Sequence, residues 1–530
     1  MMIICIYLIV LCIACTHLTA ELKRDLMMMQ QNSYRTERYM RWLRTSADTT
    51  SIVRLLGMCV FFISLAVFAD PLWAMGIMGI YALFSAVSLL RQKYKKPLVW
   101  TPRAKRIYTM AAVLSVAIVA LSLLLAKDDP LSRIYVATVA ITALYCASHI
   151  IIMMAVVLLA PLERHINHRY YADAERILQG MPNLKVVGIT GSYGKTSTKH
   201  YLHRILSEEF SVTMTPGSFN TTMGVIRTVR EYLKPYDEVF IVEMGAKQPG
   251  DIKEICDLVH PQMGIITAVG EQHLESFKSI ENVQRTKFEL VDSLPADGLA
   301  VINNDFPFIA SREVENVKTV RYAVSTPDGA VWVAKDIEYT ADGTDFTAVG
   351  PGVNLRLHTR LVGECNISNL LGCVVIALHL GVSEQKIKLA VADIRQVEHR
   401  LNVKRTPAGI TIIDDAFNSN PAGSAMALDV LKRMMSGKRI IITPGMIELG
   451  EKQEELNREF GRKIAKSADI AIIVGRYNRE AITAGISDGG MDENSVKTVD
   501  TFAQAQLMLG TIAKSGDIVL YENDLPDTFK

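Results

Sequence analysis

Apolar positions form long runs up to residue 160, and after residue 182 they come as short blocks separated by amphipathic stretches. A helix needs about 20 apolar residues to cross the hydrocarbon core of a bilayer. Windows at 2–20, 72–90, 107–126 and 134–160 approach or pass that length. A shorter window at 52–69 meets its neighbour at Asp70-Pro71, a turn signal, so the two together predict a helical hairpin with one charge at its tip. The pattern therefore predicts a membrane region over 1–160 with five helices, then a polar helical connector over 161–182.

From residue 183 the period changes. Blocks at 186–189, 239–242, 264–269, 299–302, 410–413, 439–442, 470–474 and 517–520 predict buried strands, most of them separated by helical patterns. That alternation predicts α/β units on mainly parallel sheets. Between about 320 and 362 the helical patterns stop, and short strand-like runs with Asp-Gly and Pro-Gly turns predict a small β subdomain. The expected fold class is an α-helical transmembrane region followed by α/β: a central phosphate-loop domain over 183–398 with a parallel sheet and the small β subdomain, then a Rossmann-like α/β domain over 399–530.

Composition sharpens this in two places. A mean hydropathy of +0.20 with 49% hydrophobic residues is high for a soluble enzyme, and a net charge of +2 gives no reason to expect nucleic acid. Locally, segment 21–51 carries six Lys and Arg, segment 91–108 carries seven and no acid, and the turn at residue 70 carries none. Basic loops stay in the cytoplasm. Five spans then put the N-terminus outside and everything after residue 160 inside, as in a multi-pass protein of the cytoplasmic (inner) membrane. The first run lacks a basic start, and cleaving it would leave the Arg-rich segment on the wrong side, so it is expected to be an uncleaved anchor. Apart from Arg54 near the start of the 52–69 window and the single histidines His17 and His149, no Lys, Arg, Glu or His interrupts the windows, so no proton or ion path is expected through them and they are expected to be an anchor in the lipid bilayer. The eight cysteines form no disulfide framework, and the Cys12/Cys15 spacing sits in an uncharged run better suited to core packing than to metal.

The first predicted strand of the catalytic half runs into Gly188-Ile189-Thr190-Gly191-Ser192-Tyr193-Gly194-Lys195-Thr196-Ser197-Thr198 and then a helix. Glycines let backbone N–H groups approach phosphates, a helix N-terminus favours an anion, Lys195 reaches the outer phosphates, and Thr196 can ligate magnesium. The common phosphate loop has a glycine where this chain has Ile189, so this is a variant loop.

Variants of this kind mark families, and this one resembles the Mur ligase loop, which reads Thr-Gly-Ser/Thr-x-Gly-Lys-Thr/Ser. Further boxes follow in order. Ser218 to Gly224, containing Asn220 and Thr221, is similar to the family's Asn-Thr/Asn-x-x-Gly segment, and Glu243-Met244-Gly245 to its magnesium-binding Glu. Ala268 to Phe277, with His273, resembles its Ala-His-Leu-Glu box, and Thr286-Lys287-Phe288-Glu289 its Ala-Lys-x-Glu. Asn366-x-x-Asn369, His399-Arg400-Leu401, Asp414 to Pro421 with Asn418 and Asn420, and Met446 to Gly450 complete a series covering about 183–515.

The resemblance implies an ATP-dependent ligase that joins a carboxylate to an amine through an acyl phosphate, with Mg2+ (two ions) as cofactor. It implies that Thr190, Gly191, Ser192, Gly194, Lys195, Thr196, Ser197, Asn366, Arg400 and Asp415 hold ATP. Thr196 and Glu243 would hold one magnesium, and His273 with a carbamylated Lys287 a second, so that Lys195, His273 and Lys287 are the expected catalytic residues. Asn220, Thr221, Asn418 and Asn420 fall on the substrate side. Closure of the C-terminal domain over ATP is expected, to keep water from the acyl phosphate.

The chain also departs from the family. Members acting on soluble UDP-linked precursors begin with a UDP-gripping domain, where this chain has apolar windows. The boxes are worded most like the branch that adds D-alanyl-D-alanine, yet its Lys-Gly-Ser loop is replaced by Tyr521-Glu522-Asn523-Asp524-Leu525-Pro526-Asp527, an acidic stretch expected to read an amino-bearing group. Cys365 stands for a family His, and His399 for a family Gly. The expected substrates are thus a carboxylate and an amine, one of them a lipid-linked or peptide envelope precursor. A tethered D-alanyl-D-alanine-adding ligase, a poly-amino-acid synthesising ligase and a nucleotide-sensing membrane scaffold stay open at this point.

Overall fold

The computed structural model describes residues 2–45, 56–57, 59–64, 66, 71–94, 96–340, 343–416, 419–434 and 436–525. The chain divides into two units, Met1–Asn167 with Leu525–Lys530, and His168–Asp524.

The first unit is helical. Among the described residues four helices are long and apolar enough to cross a membrane: Ile3–Gln31, Leu72–Arg91, Pro102–Leu125 and Ser148–Gln179. Half of the expected window at 52–69 lies outside the described residues. The window expected as one span at 134–160 is split instead, because Pro130–Cys146 ends at Ala147 and a new helix starts at Ser148. A buried polar contact marks the break, where the Ser148 hydroxyl donates to Asp25 Oδ2 at 2.6 Å.

The first helix also outruns its window. Nothing between Thr16 and Gln31 breaks a helix, so Met2–Gln31 continues through Glu21, Arg24 and Asp25, which are buried along with His17. His17 lies 3.5 Å from Glu21 and rests on the Tyr145 ring at 4.2 Å, while Asp25 accepts from Tyr39 at 3.0 Å. The expectation of a plain apolar anchor is therefore corrected: this unit buries ionisable side chains, which survive burial by answering one another.

The second unit holds two sheets. The first has the strand order β2-β3-β1-β4-β5-β6-β7-β8-β9. Its parallel centre is β1 (Lys185–Thr190), β2 (Val212–Met214), β3 (Val239–Glu243), β4 (Met263–Ile266) and β5 (Leu299–Asn303). Every residue of β3, β4 and β5 is buried, as expected of parallel strands with helices on both faces. The strands expected as a small β subdomain are present but not separate. β6 (Lys318–Ala323) pairs parallel with β5, β7 (Trp332–Thr340) pairs parallel with β6, and β8 (Gly343–Gly350) and β9 (Val353–Thr359) extend the same sheet antiparallel. The unpaired edge of β5 is the physical reason, since it is satisfied by continuing the ladder. On β9 Leu355, Leu357 and Thr359 are buried while Arg356 and His358 are exposed, the alternation of a strand with one wet face.

The second sheet has the order β10-β11-β15-β12-β13-β14, formed by β10 (Asn402–Arg405), β11 (Thr411–Asp415), β12 (Arg439–Thr443), β13 (Ile470–Val474), β14 (Val496–Val499) and β15 (Ile518–Glu522). All pairings are parallel except β10 with β11. The last strand is inserted between β11 and β12, which sets Asp415 opposite Glu522 at the carboxyl ends. In open α/β sheets that is the edge where ligands bind.

Candidate active site

The phosphate loop joins β1 to the helix Lys195–Leu206. Gly191 has φ +150° and Gly194 φ +77°, and a Cβ would fall 2.1 Å from Thr267 Oγ1 at the first and 2.5 Å from Asn369 Oδ1 at the second. Only glycine fits either place, so backbone N–H groups line the cradle. Thr190 ties the loop to the end of β3 by donating to the Met244 carbonyl at 2.9 Å, and Ser192 and Gly270 exchange bonds at 3.1 Å. Lys195 folds back over the loop, 2.6 Å from the Gly191 carbonyl and 3.3 Å from that of Ser192. Burial, opposed by Glu243 and assisted by Arg400, brings its ammonium down to about 8.

Glu243 closes β3 in the middle of this array. Thr196 donates to its Oε1 at 3.1 Å and Asn220 to the same oxygen at 3.2 Å. Lys199 donates to Oε2 at 2.9 Å and to the Gly217 carbonyl at 2.6 Å. Burial pushes the Glu243 carboxyl up, but Lys199 and Lys195 overcome it and hold the group below its ordinary range. Sequence reasoning missed Lys199. It follows Lys195 by four positions on one helix, and that spacing puts both on one face, so a signal was there.

The opposite wall comes from the C-terminal domain. Arg400, Leu401, Asp415, Ser419, Asn420, Met426 and Glu522 face Lys195, Thr196, Ser197, Glu243, Asn366 and Asn369 across a cleft holding about 900 Å³ of space open to solvent. Glu522 is buried and Asp415 partly buried. Burial raises Asp415 to about 6 and Glu522 well above the carboxylate range, the Asp415 charge adding to the second shift. Ser419 donates to Glu522 Oε1 at 2.5 Å. Glu522, within the acidic stretch at 521–527, was not among the expected site residues.

The other expected residues fall in several places. Asn366 lines the cleft while bonded to Tyr201 and Val362, at 2.8 Å each, and Asn420 lines it as the N-cap of Pro421–Arg433. Thr221 caps the helix Thr222–Glu231. Cys365 lines the cleft as a thiol, pushed up to about 12 by burial. Asn418 and Asp527 lie outside the described residues. Lys287 and His273 do not line the cleft. Lys287 is buried, and burial, reinforced by the Lys195 charge, pushes it well below its ordinary value toward the neutral amine. His273 meets Glu448 of the C-terminal domain through Nδ1.

The Mur ligase middle domain matches residues 189–377, and the Mur ligase glutamate ligase domain matches residues 399–521. The chain belongs to the Mur ligase family. It is similar to the UDP-N-acetylmuramoyl-tripeptide--D-alanyl-D-alanine ligase of Bacillus subtilis, 26% identical over 64% of this chain and 72% of that one. The Escherichia coli enzyme of the same name is 29% identical over 63% of this chain and 74% of its own. Among solved structures, MurF from Thermotoga maritima in complex with ADP superposes with a TM-score of 0.60 at 26% identity, covering 67% of this chain and 80% of that one. MurF from Acinetobacter baumannii gives 0.61 at 25%, covering 67% and 77%.

This Mur ligase is accordingly an ATP-dependent, amide-bond-forming ligase that uses Mg2+. Its residues fit that cofactor. Thr196 and Glu243 bring one hydroxyl and one carboxylate together, and among the described residues no group of three or more His, Cys, Asp or Glu forms a closed cage. Magnesium that keeps its waters and leans on substrate phosphates needs no such cage. Residues 1–167 lie outside both matched ranges.

Proposed function

We propose that this Mur ligase is anchored in the cytoplasmic membrane and joins a carboxylate to an amine on an envelope precursor of the peptidoglycan type. The observation that carries the chemistry is the cleft, with Lys195, Thr196 and Glu243 on one wall and Arg400 and Asp415 on the other. The glycine cradle receives the phosphates, Lys195 and Arg400 neutralise the charge moving onto the leaving ADP, and Asp415 accepts from the nucleotide. Thr196 and Glu243 would hold Mg2+, which would neutralise phosphate charge there, and His273 with a carbamylated Lys287 would hold a second ion. A substrate carboxylate oxygen attacks the γ-phosphorus and ADP departs; the amine then attacks the acyl carbon, phosphate leaves, and the amine gives up its proton. Holding the partners in line is the main task in such transfers.

Four long apolar helices support the anchor, and the basic segments 21–51 and 91–108 favour a cytoplasmic side for the loops they form. The names of the relatives support a peptidoglycan-type substrate. They also favour a second reading, a tethered ligase adding D-alanyl-D-alanine to a UDP-linked tripeptide. Against it stands β15, which ends in a buried Glu522 in place of the basic, glycine-rich loop of that branch.

The deciding experiment measures ADP release by detergent-purified protein against amino acids, D-alanyl-D-alanine, UDP-muramoyl peptides and lipid-linked precursors, with Lys195→Ala as control. Turnover that requires a carboxylate and amine pair and vanishes in the control supports the ligase and names its substrates. Turnover indifferent to every pair would overturn it.

A further inference from the structure

His273 and Glu448 face each other from different domains, and both break the same backbone rule. His273 has φ +53° and Glu448 φ +62°, a left-handed conformation that non-glycine residues rarely adopt and that gathers at functional sites. Their side chains form an ion-pair contact through His273 Nδ1. Among the described residues Glu448 is the one side-chain partner of that imidazole.

The segment carrying Glu448 is firmly supported. Asn478 donates to the Pro444 and Met446 carbonyls at 3.0 and 2.9 Å, Asn457 accepts from Met446 N–H at 2.9 Å, and Gln453 accepts from Leu449 N–H at 3.2 Å. Between the domains, Glu275 N–H donates to the Glu448 carbonyl at 3.3 Å, and Lys452 bonds Glu271 at 2.6 Å. The carboxylate is thus delivered to the imidazole by a braced segment.

A histidine that binds a cation through one nitrogen is usually oriented by a carboxylate on the other, which fixes the tautomer and the ring plane. With Nδ1–H donated to Glu448, the Nε2 lone pair is the one left for a metal. We propose that Glu448 is a positioning residue that orients His273 from the C-terminal domain, so that the second divalent cation is held only while that domain is docked. This rests on the proposed role of His273 as a metal ligand.

The test uses full-length protein in detergent, with Mn2+ as the probe and a non-hydrolysable ATP analogue, counting bound Mn2+ by electron paramagnetic resonance; melting temperature checks that each variant is folded. Wild type is expected to bind two ions. His273→Ala and Glu448→Ala should each bind one at the Mn2+ concentration that fills both sites in wild type, with the second site weakened about 10- to 100-fold in Glu448→Ala. Lys452→Ala, which cuts the neighbouring interdomain bond, should keep both ions.

Glu448→Ala that keeps both ions while His273→Ala loses one would overturn the positioning role alone. Equal loss in Lys452→Ala and Glu448→Ala would also overturn it, because docking in general would then explain the effect. Both ions retained in His273→Ala would overturn the role of His273 itself, and the inference with it.

Discussion

Lys199 and Glu243 form an ion pair at 2.9 Å in which neither side chain is more than 1% exposed. The same ammonium holds the Gly217 carbonyl at 2.6 Å, so one buried cation braces both the magnesium-side carboxylate and the loop leading to Asn220. Lys199→Met leaves the Glu243 charge buried without its partner, a change that typically costs about 3–5 kcal/mol. Denaturant unfolding of the variant should show that loss.

Removing Lys199 has a second, separable effect. Glu243 ionises below its ordinary range, so in wild type it contributes stability above the unfolded-state value, and that stability is lost as pH falls through the folded value. Without Lys199 the folded value rises, and the acid limb of the ATP-turnover profile should move to higher pH. An unmoved limb would mean that Lys195 alone sets the charge of Glu243.

Asp415 and Glu522 behave in the opposite sense. Both are raised, Asp415 to about 6, so the folded protein keeps protons that the unfolded chain releases from about pH 4 upward. Their contribution is favourable below that pH and is lost as pH climbs through the folded values. Glu522→Gln removes one ionisation, so the variant should gain stability relative to wild type as pH rises toward 8 and show a flatter stability profile. Thermal melts between pH 5 and 8 check this.

Gly194→Ala places a Cβ 2.5 Å from Asn369 Oδ1 at φ +77°. The loop must shift, and ATP binding should fall by at least tenfold, equivalent to about 1.4 kcal/mol. Titration with a fluorescent ATP analogue reads it. Binding equal to wild type would show that Asn369 gives way.

Arg400→Ala tests whether the C-terminal wall takes part in turnover. Loss of one charge-stabilising donor typically lowers kcat by about 10²- to 10³-fold. ADP release under saturating substrates should fall by that order, and unchanged turnover would remove Arg400 from the reaction.

Much of the ligase unit was legible because buried parallel strands and a glycine-rich loop follow short local rules. All eight predicted strand blocks became strands, and the residues from Lys195 to Glu243 converge as their boxes suggested. What escaped depends on partners distant in sequence. The ladder that joins β6 to β5 is invisible in either strand alone, and the meeting of His273 with Glu448 spans 175 positions. The inward turn of Glu21, Arg24 and Asp25 was hidden for the same reason, since Tyr39 and Ser148 supply the answering groups for Asp25. Hydropathy windows register charge without registering who receives it.

The position of β15 between β11 and β12 bears on how the protein is made. Residues Ile518–Glu522 supply a central strand, so a nascent chain that has emerged only as far as β14 has a gap in the middle of its second sheet. Asp415 then lacks its neighbour and the nucleotide cleft lacks part of its wall. A prematurely terminated product cannot assemble a working cleft, and competence for catalysis arrives only when the last strand slots home.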